Sequence, residues 1–343
     1  MIALVKKNLA TYLKQLVFLA IGLLILWLVT REQDLNQIWF YLRNANFLWY
    51  VPAIAAGILS HYTRALRWKI LINSLGQKVR TTDVFYAVMV GYSVNLAVPR
   101  LGEITKCVAI TKSYGIPLNR MAGTMVAERL FDMLTLALLL IFTIVSQSHF
   151  IMGFLNQLLL HRVAEIASHE PWLLIGLALG GLALMVVAFI ALRRWLADSR
   201  PESKGARLKN QIIGFKEGIK TMYMMQNKFR FIVLTFIIWI LYFLTAFLGF
   251  LAIEATQHLP IMAGVTLLAM GSLGILAPVP AGIGTFHFIT IATLTMLYGI
   301  ASEPATTYAY LSHIMQVFLI IATTGTIWIY RFLKTHKTAK QGV

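Results

Sequence analysis

Residues 255–302 read ATQHLPIMAGVTLLAMGSLGILAPVPAGIGTFHFITIATLTMLYGIAS and contain no Lys, Arg, Asp or Glu. Two apolar runs in this segment are separated by Pro278-Val279-Pro280-Ala281-Gly282-Ile283-Gly284, a cluster of residues that ends helices and forms turns. A cytoplasmic loop between two membrane spans should carry Lys or Arg, and this break carries neither. The segment therefore predicts a re-entrant helical hairpin, whose tip stops inside a membrane against protein or a water-filled cavity.

A second hairpin is predicted earlier in the chain. The apolar run from Val84 to Pro99 ends at Pro99-Arg100-Leu101-Gly102-Glu103, and the return segment 104–114 has only 11 residues. At 1.5 Å per residue that segment covers about 16 Å, roughly half of a hydrocarbon core of about 30 Å. This hairpin is also expected to end within the bilayer.

The composition places both hairpins in an integral membrane protein. Hydrophobic residues make up 59% of the chain and charged residues 13%, against about 50% and 25% in soluble proteins. Six segments are predicted to span the membrane: 13–30, 46–64, 120–147, 171–193, 231–253 and 304–330. Residues 34–45 and 150–168 have mixed polar and apolar positions and are predicted to lie as amphipathic helices on the membrane surface.

The distribution of charge sets the orientation. With the N-terminus inside, the segments predicted to be cytoplasmic hold 25 of the 30 Lys and Arg residues, and external segments hold three. The cytoplasmic segments are residues 1–14, 64–80, 106–120, 193–230 and 331–340. This bias is typical of a multi-pass protein with both termini in the cytoplasm, here in the plasma (inner) membrane, and it explains the net charge of +17 without a nucleic-acid partner. The single cysteine, Cys107, excludes an internal disulfide and a cysteine-rich metal site, and the sequence indicates no metal or other cofactor.

The predicted elements repeat in inverted order. Residues 1–147 run span, span, hairpin, span, and residues 171–343 repeat this series from the opposite face. The predicted fold is an all-α polytopic protein with six spanning helices and two re-entrant hairpins, forming one membrane domain over residues 1–343. Inverted repeats with broken helices are typical of transporters that bind substrate near the midplane.

Five charged residues at predicted membrane depth form the first part of the candidate site: Arg100, Glu103, Glu128, Arg129 and Asp132. Buried charge in a membrane costs a few kcal/mol per group even on lenient scales, which favours a polar cavity for a charged head group. Arg100 is predicted to bind the phosphate of that head group, because its planar guanidinium forms paired hydrogen bonds with phosphate. The alternative is an ion-pair network that only holds the first hairpin to its neighbouring helix.

The hairpin tips supply the second part. Each tip precedes a helix whose N-terminus points into the membrane, and free N–H groups there suit an anion such as phosphate. Gly102, Gly282 and Gly284 allow close approach of backbone to a ligand, and Thr285 and His287 follow the second tip. Tight turns would require the same glycines without any ligand.

The chain resembles the lysylphosphatidylglycerol synthase transmembrane region, also called the flippase-like domain. The resemblance covers nearly the whole chain and is carried, in order, by four motifs: Arg64-Ala65-Leu66-Arg67-Trp68, Pro99-Arg100-Leu101-Gly102-Glu103 preceded by Asn95, Glu128-Arg129-Leu130-Phe131-Asp132, and Pro278 to Gly284. Two positions depart from the family pattern, since His287 stands where the family has Glu and Lys106 where Arg is usual. In this family aminoacyl transfer resides in a separate soluble domain, which does not follow Tyr330 in this sequence.

Three functions follow from these observations. The first is a lipid flippase or transporter, which moves a membrane phospholipid or lipid-linked substrate with a phosphate-bearing head group and has no catalytic residues. The second is a membrane-embedded transferase that acts on a lipid-linked substrate, although no catalytic motif is present. The third is a non-catalytic partner of a separate envelope-biosynthesis enzyme.

The charge bias predicts a specific pattern of accessibility. In a Cys107→Ser background, single cysteines at either terminus or at Lys209 should react only after the cytoplasmic face is opened. Cysteines at Arg162 or His258 should react with impermeant maleimide in intact cells. Labelling at Lys209 from outside intact cells would contradict the orientation and the inverted repeat together.

Overall fold

The architecture was determined from a computed structural model that describes residues 2–148, 225 and 227–340. Within these residues every regular element is helical, as predicted. The predicted surface helix at 150–168 and the predicted span at 171–193 lie outside the described residues.

Ten α-helices make up the described chain: α1 Ile2–Thr30, α2 Leu35–Asn44, α3 Tyr50–Asn73, α4 Thr81–Ala97, α5 Leu101–Tyr114, α6 Leu118–Ser146, α7 Lys228–Phe250, α8 Ile261–Leu276, α9 Thr285–Ala292 and α10 Ser302–Lys340. Short 3-10 turns occupy Phe47–Trp49, Glu254–Thr256 and Pro280–Gly282. A π-helical turn, Thr293–Leu297, continues α9.

Local sequence explains several of these boundaries. Asp34 caps α2, because its carboxylate accepts hydrogen bonds from the backbone N–H groups of Asn36 and Gln37. α2 turns by 93° from residues 16–30 of α1, and none of its residues is buried. This geometry fits the predicted surface helix at 34–45. Gly115 ends α5 in the left-handed conformation, at φ 68°, which glycine adopts without a steric penalty.

Four described segments are long and apolar enough to cross a membrane: 118–146, 228–250, 280–297 and 302–334. A fifth is added if residues 16–30 and 35–44 form one bent span. α3 is not among them, because its second half carries Arg64, Arg67 and Lys69. The chain is therefore a multi-pass helical protein with four to five candidate spans in its described part, and the count of six stays a prediction.

The first predicted hairpin is formed by α4 and α5, which pack together along their length. At their crossing the backbones of Gly91 and Gly102 lie so close that a Cβ on Gly102 would collide with the carbonyl oxygen of Gly91. The side chain of Asn95 also fixes the tip, since its Oδ1 accepts a 2.7 Å hydrogen bond from the Gly102 N–H. Small residues and one amide therefore hold the two arms together.

The second predicted hairpin, α8 and α9, closes in a similar way. Gly274 of α8 lies against the backbone of Thr285 and Phe286, and the Thr285 hydroxyl donates a 2.8 Å hydrogen bond to the Gly274 carbonyl. Gly284, at φ 81°, lies directly against the carbonyl of Gly22 in α1. The 16 residues of α8 extend about 24 Å, short of a full span. Because 280–297 also qualifies as a candidate span, the depth of this tip stays a prediction.

Contacts between the two halves of the described chain follow a reciprocal pattern. α3 packs against α7, which holds the corresponding place in the predicted second repeat. α6 packs against α8, and α10 packs against α4, so the last helix of each half meets the first arm of the opposite hairpin. The 3-10 turn of the second tip also contacts α4. A two-fold relation between the halves would produce this pairing.

The Gly91–Gly102 contact predicts the effect of a single methyl group. Gly102→Ala should lower the free energy of unfolding by about 1–3 kcal/mol, because the added Cβ has no room between two backbones. The measurement is the melting temperature of the purified protein in detergent. Gly325→Ala is the matched control, since nothing lies within 4 Å of that Cβ position in α10, and Ala is the better helix former. Equal melting temperatures for the two variants would contradict the close packing of the first hairpin.

Candidate ligand cavity and charged cluster

The centre of the candidate site is the middle of α6. Asp132 lies 14 residues from each end of the 29-residue helix Leu118–Ser146, so it is near the midplane of the membrane when α6 spans it. Glu128 lies one turn earlier and is fully buried. Residues four apart share one face of a helix, and both carboxylates point towards α3.

Two arginines of α3 neutralise these carboxylates. Arg64 Nη1 lies 3.1 Å from Glu128 Oε1 and 2.9 Å from Asp132 Oδ2. Arg67 Nη2 lies 2.7 Å from Asp132 Oδ1 and 3.5 Å from Glu128 Oε1. Arg64 and Arg67 are three residues apart on α3, and the carboxylates are four apart on α6, so both cations reach both anions.

The returning arm of the first hairpin adds a third cation and a third anion. Lys106 Nζ lies 2.6 Å from Glu128 Oε2 and 3.3 Å from Glu103 Oε2. Its ammonium also lies 4.7 Å above the centre of the Trp68 ring, a favourable cation–π position. Glu103 forms a further ion pair with Arg129 of α6. The hairpin is thus bonded to α6 through two separate ion pairs.

These seven residues form one charged cluster: Arg64, Arg67, Glu103, Lys106, Glu128, Arg129 and Asp132. Four are positive and three negative, so the cluster carries a net charge of +1. The side chains of Arg67 and Glu128 are 0% exposed, whereas that of Arg129 is 37% exposed. The most accessible charged group of the cluster is therefore a guanidinium.

α7 completes the surroundings of the arginines. Arg67 donates a 3.2 Å hydrogen bond to the Thr235 hydroxyl and lies over the ring of Phe231. Arg64 Nε donates to the Tyr242 hydroxyl at 3.2 Å. Because α3 and α7 belong to different halves of the chain, the cluster also joins the halves.

A cavity of about 330 Å³ opens beside the cluster, within the range of about 300–1,000 Å³ for small-ligand sites. Helices from both halves line it, namely α3, α4, α6, α7, α8 and α10, together with Phe286 of α9. Its charged lining residues are Arg64, Arg129 and Asp132. Most of the remaining wall is apolar or aromatic. A polar end therefore faces a largely apolar chamber.

Polar atoms on the cavity wall are left without partners. His61 is buried, its ring centre lies 4.7 Å from that of Tyr92, and its Nδ1 makes no hydrogen bond within the described residues. The indole Nε1 of Trp239 is likewise buried and unpartnered there. A buried donor or acceptor without a partner costs about 1–3 kcal/mol.

The structure brings together four of the predicted site residues and separates the others. Glu103, Glu128, Arg129 and Asp132 belong to the cluster. Gly102 lies beside it, lining a void of about 10 Å³ with Arg64, Glu103, Lys106 and Arg129, which has room for about one water. Its N–H, which was expected to face an anion, already bonds to Asn95.

Arg100 occupies a different position. It is exposed, it precedes α5 with a left-handed φ of 68°, and it takes part in none of the ion pairs of the described residues. It forms the turn between the hairpin arms and lies outside the cavity lining. Its predicted role as the phosphate ligand stays a prediction.

The predicted residues of the second tip also lie outside the cavity lining. Gly282 and Gly284 form the turn with positive φ, and Thr285 bonds to Gly274. His287 is buried, with its ring centre 4.7 Å from that of His313. The His313 Nε2 lies 2.9 Å from the Ala281 carbonyl oxygen, so this pair holds the tip against α10. The described residues contain no group of three or more His, Cys, Asp or Glu that could bind a metal.

Sequence reasoning missed three members of the cluster. Arg64, Arg67 and Lys106 were assigned to predicted cytoplasmic segments, but the structure buries all three. The buried face of α3 continues past the predicted end at residue 64, because paired carboxylates of α6 compensate its cations. The sequence does contain an indication of this pairing. Two basic residues lie three apart on one face of α3, and two acidic residues lie four apart on one face of α6, so the two faces are complementary in charge. Without these three, the predicted cytoplasmic segments still hold 22 Lys and Arg against three outside.

Similarity to a known family extends over most of the chain. The family model of the lysylphosphatidylglycerol synthase TM region matches residues 15–323, which include the cluster, both hairpins and the cavity wall. The chain belongs to this family. A UPF0104 membrane protein of Methanocaldococcus jannaschii is 27% identical over 141 residues, which are 40% of this chain and 41% of that protein. The matched region is thus less than half the length of that relative. No solved structure matches the chain.

The cluster predicts a large cost for removing its central carboxylate. Glu128→Gln leaves three cations with one anion fewer in a buried site, and breaking a buried pair costs about 3–5 kcal/mol. Adding Lys106→Met restores the charge balance, so the double variant should lose less stability than the sum of the two single variants. Thermal unfolding in detergent measures this coupling.

Glu32→Gln is the matched control for that experiment. It removes the Arg31–Glu32 pair, whose side chains are 45% and 77% exposed, and exposed pairs contribute little. If the stability losses of Glu128→Gln and Lys106→Met were strictly additive in the double variant, the ion pair between Glu128 and Lys106 would be contradicted.

Proposed function

We propose that this protein moves lipids with a phosphate-bearing head group across the membrane, and that the cavity beside the charged cluster binds the head group. The observation that carries the proposal is the position of Arg64 and Arg129 on the wall of a largely apolar cavity between the two halves. A guanidinium forms paired, charge-assisted hydrogen bonds with phosphate oxygens. The apolar wall suits the adjoining part of a lipid.

The ion pairs support a role beyond locking helices together. Arg129 forms one ion pair in the described structure, with Glu103, although a guanidinium has five N–H donors. Its side chain is the most exposed of the cluster and lines the cavity. Ion pairs that only held the helices together would not require a cation on the wall of the cavity.

The arrangement of the halves supports transport in particular. Helices from both halves line the cavity, as in transporters in which the two repeats move relative to each other around a midplane site. We further infer that the protein resides in the plasma membrane with both termini in the cytoplasm, because the Lys and Arg bias remains after the buried residues are removed from the count.

Reconstituted protein tests the proposal. Liposomes that contain the full chain and a fluorescent phosphatidylglycerol, exposed to dithionite from outside, report how fast the inner-leaflet probe becomes accessible. Arg129→Gln should slow this rate by about 10–100-fold, because one charge-assisted hydrogen bond contributes about 1.5–3 kcal/mol. Arg129→Lys keeps the charge but lacks the planar guanidinium, so its rate should lie between those of the wild type and Arg129→Gln.

Stability and a surface variant serve as controls. Glu103 retains Lys106 as a partner at 3.3 Å in Arg129→Gln, so that protein should still fold, and its melting temperature is recorded alongside the rate. Arg43→Gln removes an exposed charge from the end of α2 and should transport normally. A folded Arg129→Gln protein with the unchanged rate would reject the head-group site, and a wild-type rate equal to that of empty liposomes would reject transport.

A further inference from the structure

A second, smaller cavity lies where α3 ends and where α4 and α7 begin. Its volume is about 160 Å³, and it shares no lining residue with the larger cavity beside the charged cluster. Lys69 follows Arg67 by two residues on α3, so the two side chains point to different faces of the helix. The lining residues are Leu66, Lys69, Ile70, Asn73, Ser74, Thr81, Asn227 and Arg230.

The lining of this small cavity is positively charged and contains no acidic residue. Its two cations are Lys69 of α3 and Arg230 of α7. Asp83, in the first turn of α4, pairs with Arg331 and accepts a hydrogen bond from the Tyr114 hydroxyl. Like charges that share a cavity repel each other, and an anion between them turns that repulsion into attraction.

Both cations have hydrogen-bond donors to spare. The Lys69 ammonium has three N–H donors and gives one to the Thr81 hydroxyl at 3.0 Å. Arg230 is exposed, and its guanidinium forms no ion pair within the described residues. Asn73 accepts a 3.3 Å hydrogen bond from the Val79 N–H through Oδ1, which leaves its NH₂ group as a donor. The wall therefore offers several donors to one acceptor group.

The beginnings of two helices add to the positive potential. Thr81 is the first residue of α4, Asn227 directly precedes α7, and neither helix has a hydrogen bond from a capping side chain. The free N–H groups of a first turn and the helix dipole both favour an anion. Leu66 and Ile70 supply the apolar part of the wall.

From the charge, the donors and the size of this cavity we propose that it binds a phosphate monoester. Such a group carries a charge of about −1.5 to −2 near neutral pH and has three acceptor oxygens, so it balances the two cations and can bond to Lys69, Arg230 and Asn73. A phosphodiester has only one negative charge and balances half of that positive charge. The bound phosphate would bridge α3, α4 and α7, which belong to both halves of the chain.

The shared chemistry is the terminal phosphate, whether a soluble metabolite or a membrane lipid carries it. In the proposed orientation this end of the molecule faces the cytoplasm, where both sources are present. The site does not depend on the proposed transport function, because the two cavities are separate.

Binding to the purified full chain in detergent tests the proposal. Glycerol 3-phosphate should raise the melting temperature and bind at least about tenfold more tightly than glycerophosphoglycerol, because the diester lacks one charge-assisted hydrogen bond. Isothermal titration calorimetry measures both affinities. Dioleoyl phosphatidic acid has the same monoester on acyl chains, so tighter binding of this lipid would assign the site to a lipid, and equal affinity would assign it to a soluble phosphate.

The pH dependence identifies the charge state of the ligand. The second proton of a phosphate monoester leaves with a pKa of about 6, so the affinity for glycerol 3-phosphate should rise about fourfold from about pH 5.5 to about pH 7.5. Lys and Arg ordinarily stay charged over this interval. Sulfate, which is a dianion throughout, is the control and should bind equally at both pH values.

Two variants locate the site. Arg230→Gln and Lys69→Gln should each weaken glycerol 3-phosphate binding by about 10–100-fold, the effect of one charge-assisted hydrogen bond. Because Arg230 is exposed, Arg230→Gln should keep the ligand-free melting temperature of the wild type, so its result counts even if Lys69→Gln is unstable. Lys78→Gln is the matched control, since it removes an exposed charge outside the lining of the cavity and should bind as the wild type does.

Three results would overturn the inference. The first is no binding of either glycerol 3-phosphate or phosphatidic acid. The second is equal affinity for the monoester and the diester. The third is unchanged affinity in Arg230→Gln, or an equal loss in Lys78→Gln, which would mean that the general positive charge of this surface attracts the ligand. A failed transport assay would leave the phosphate site standing.

Discussion

The pairing of seven charged side chains around the middle of α6, of which only Arg129 is substantially exposed, is the constraint on which the rest of the structure depends. No single helix could bury these charges alone, because burying an isolated ion in an apolar interior costs more free energy than the net stability of a typical folded protein. α3, α5 and α6 must therefore pack so that each carboxylate meets at least two cations. The resulting geometry fixes the register of three helices relative to one another.

The glycine contacts have the complementary role of bringing backbone close enough for these ion pairs. α5 can present Glu103 and Lys106 to α6 only if it lies tightly against α4, and the Gly91–Gly102 crossing allows this approach. At the second hairpin, Gly274 and Gly284 make comparable contacts, but the groups beside them are neutral: Thr285, and His287 with its neighbour His313. The two hairpins are thus similar in packing and different in charge.

Much of this architecture follows from hydropathy and turn residues alone. The break at Pro278 to Gly284 and the short return arm after Glu103 predicted where the paired helices α8–α9 and α4–α5 are joined, and their re-entrant course in the membrane stays a prediction. The Glu128–Asp132 spacing predicted one polar face on α6. The partners were harder to find, because pairing between α3 and α6 depends on ion pairs between residues 61 to 68 positions apart along the chain. The sequence of α3 also contains cations that satisfy two patterns, that of a cytoplasmic loop and that of a buried cluster. The position of the α6 carboxylates next to these cations, which only the structure shows, distinguishes the buried cluster from a cytoplasmic loop.

The net charge of the cluster has a consequence for the energetics of the membrane. A unit charge at the centre of α6 experiences the transmembrane voltage, which contributes about 2.3 kcal/mol for each charge moved through a full drop of 100 mV. In the proposed transport function, a bound monoanion would bring the cluster to zero net charge, so conformational changes of the loaded protein would move no net charge of the cluster. Without a bound anion the cluster carries +1, so in the proposed function the membrane potential would act on the conformational step of the empty protein.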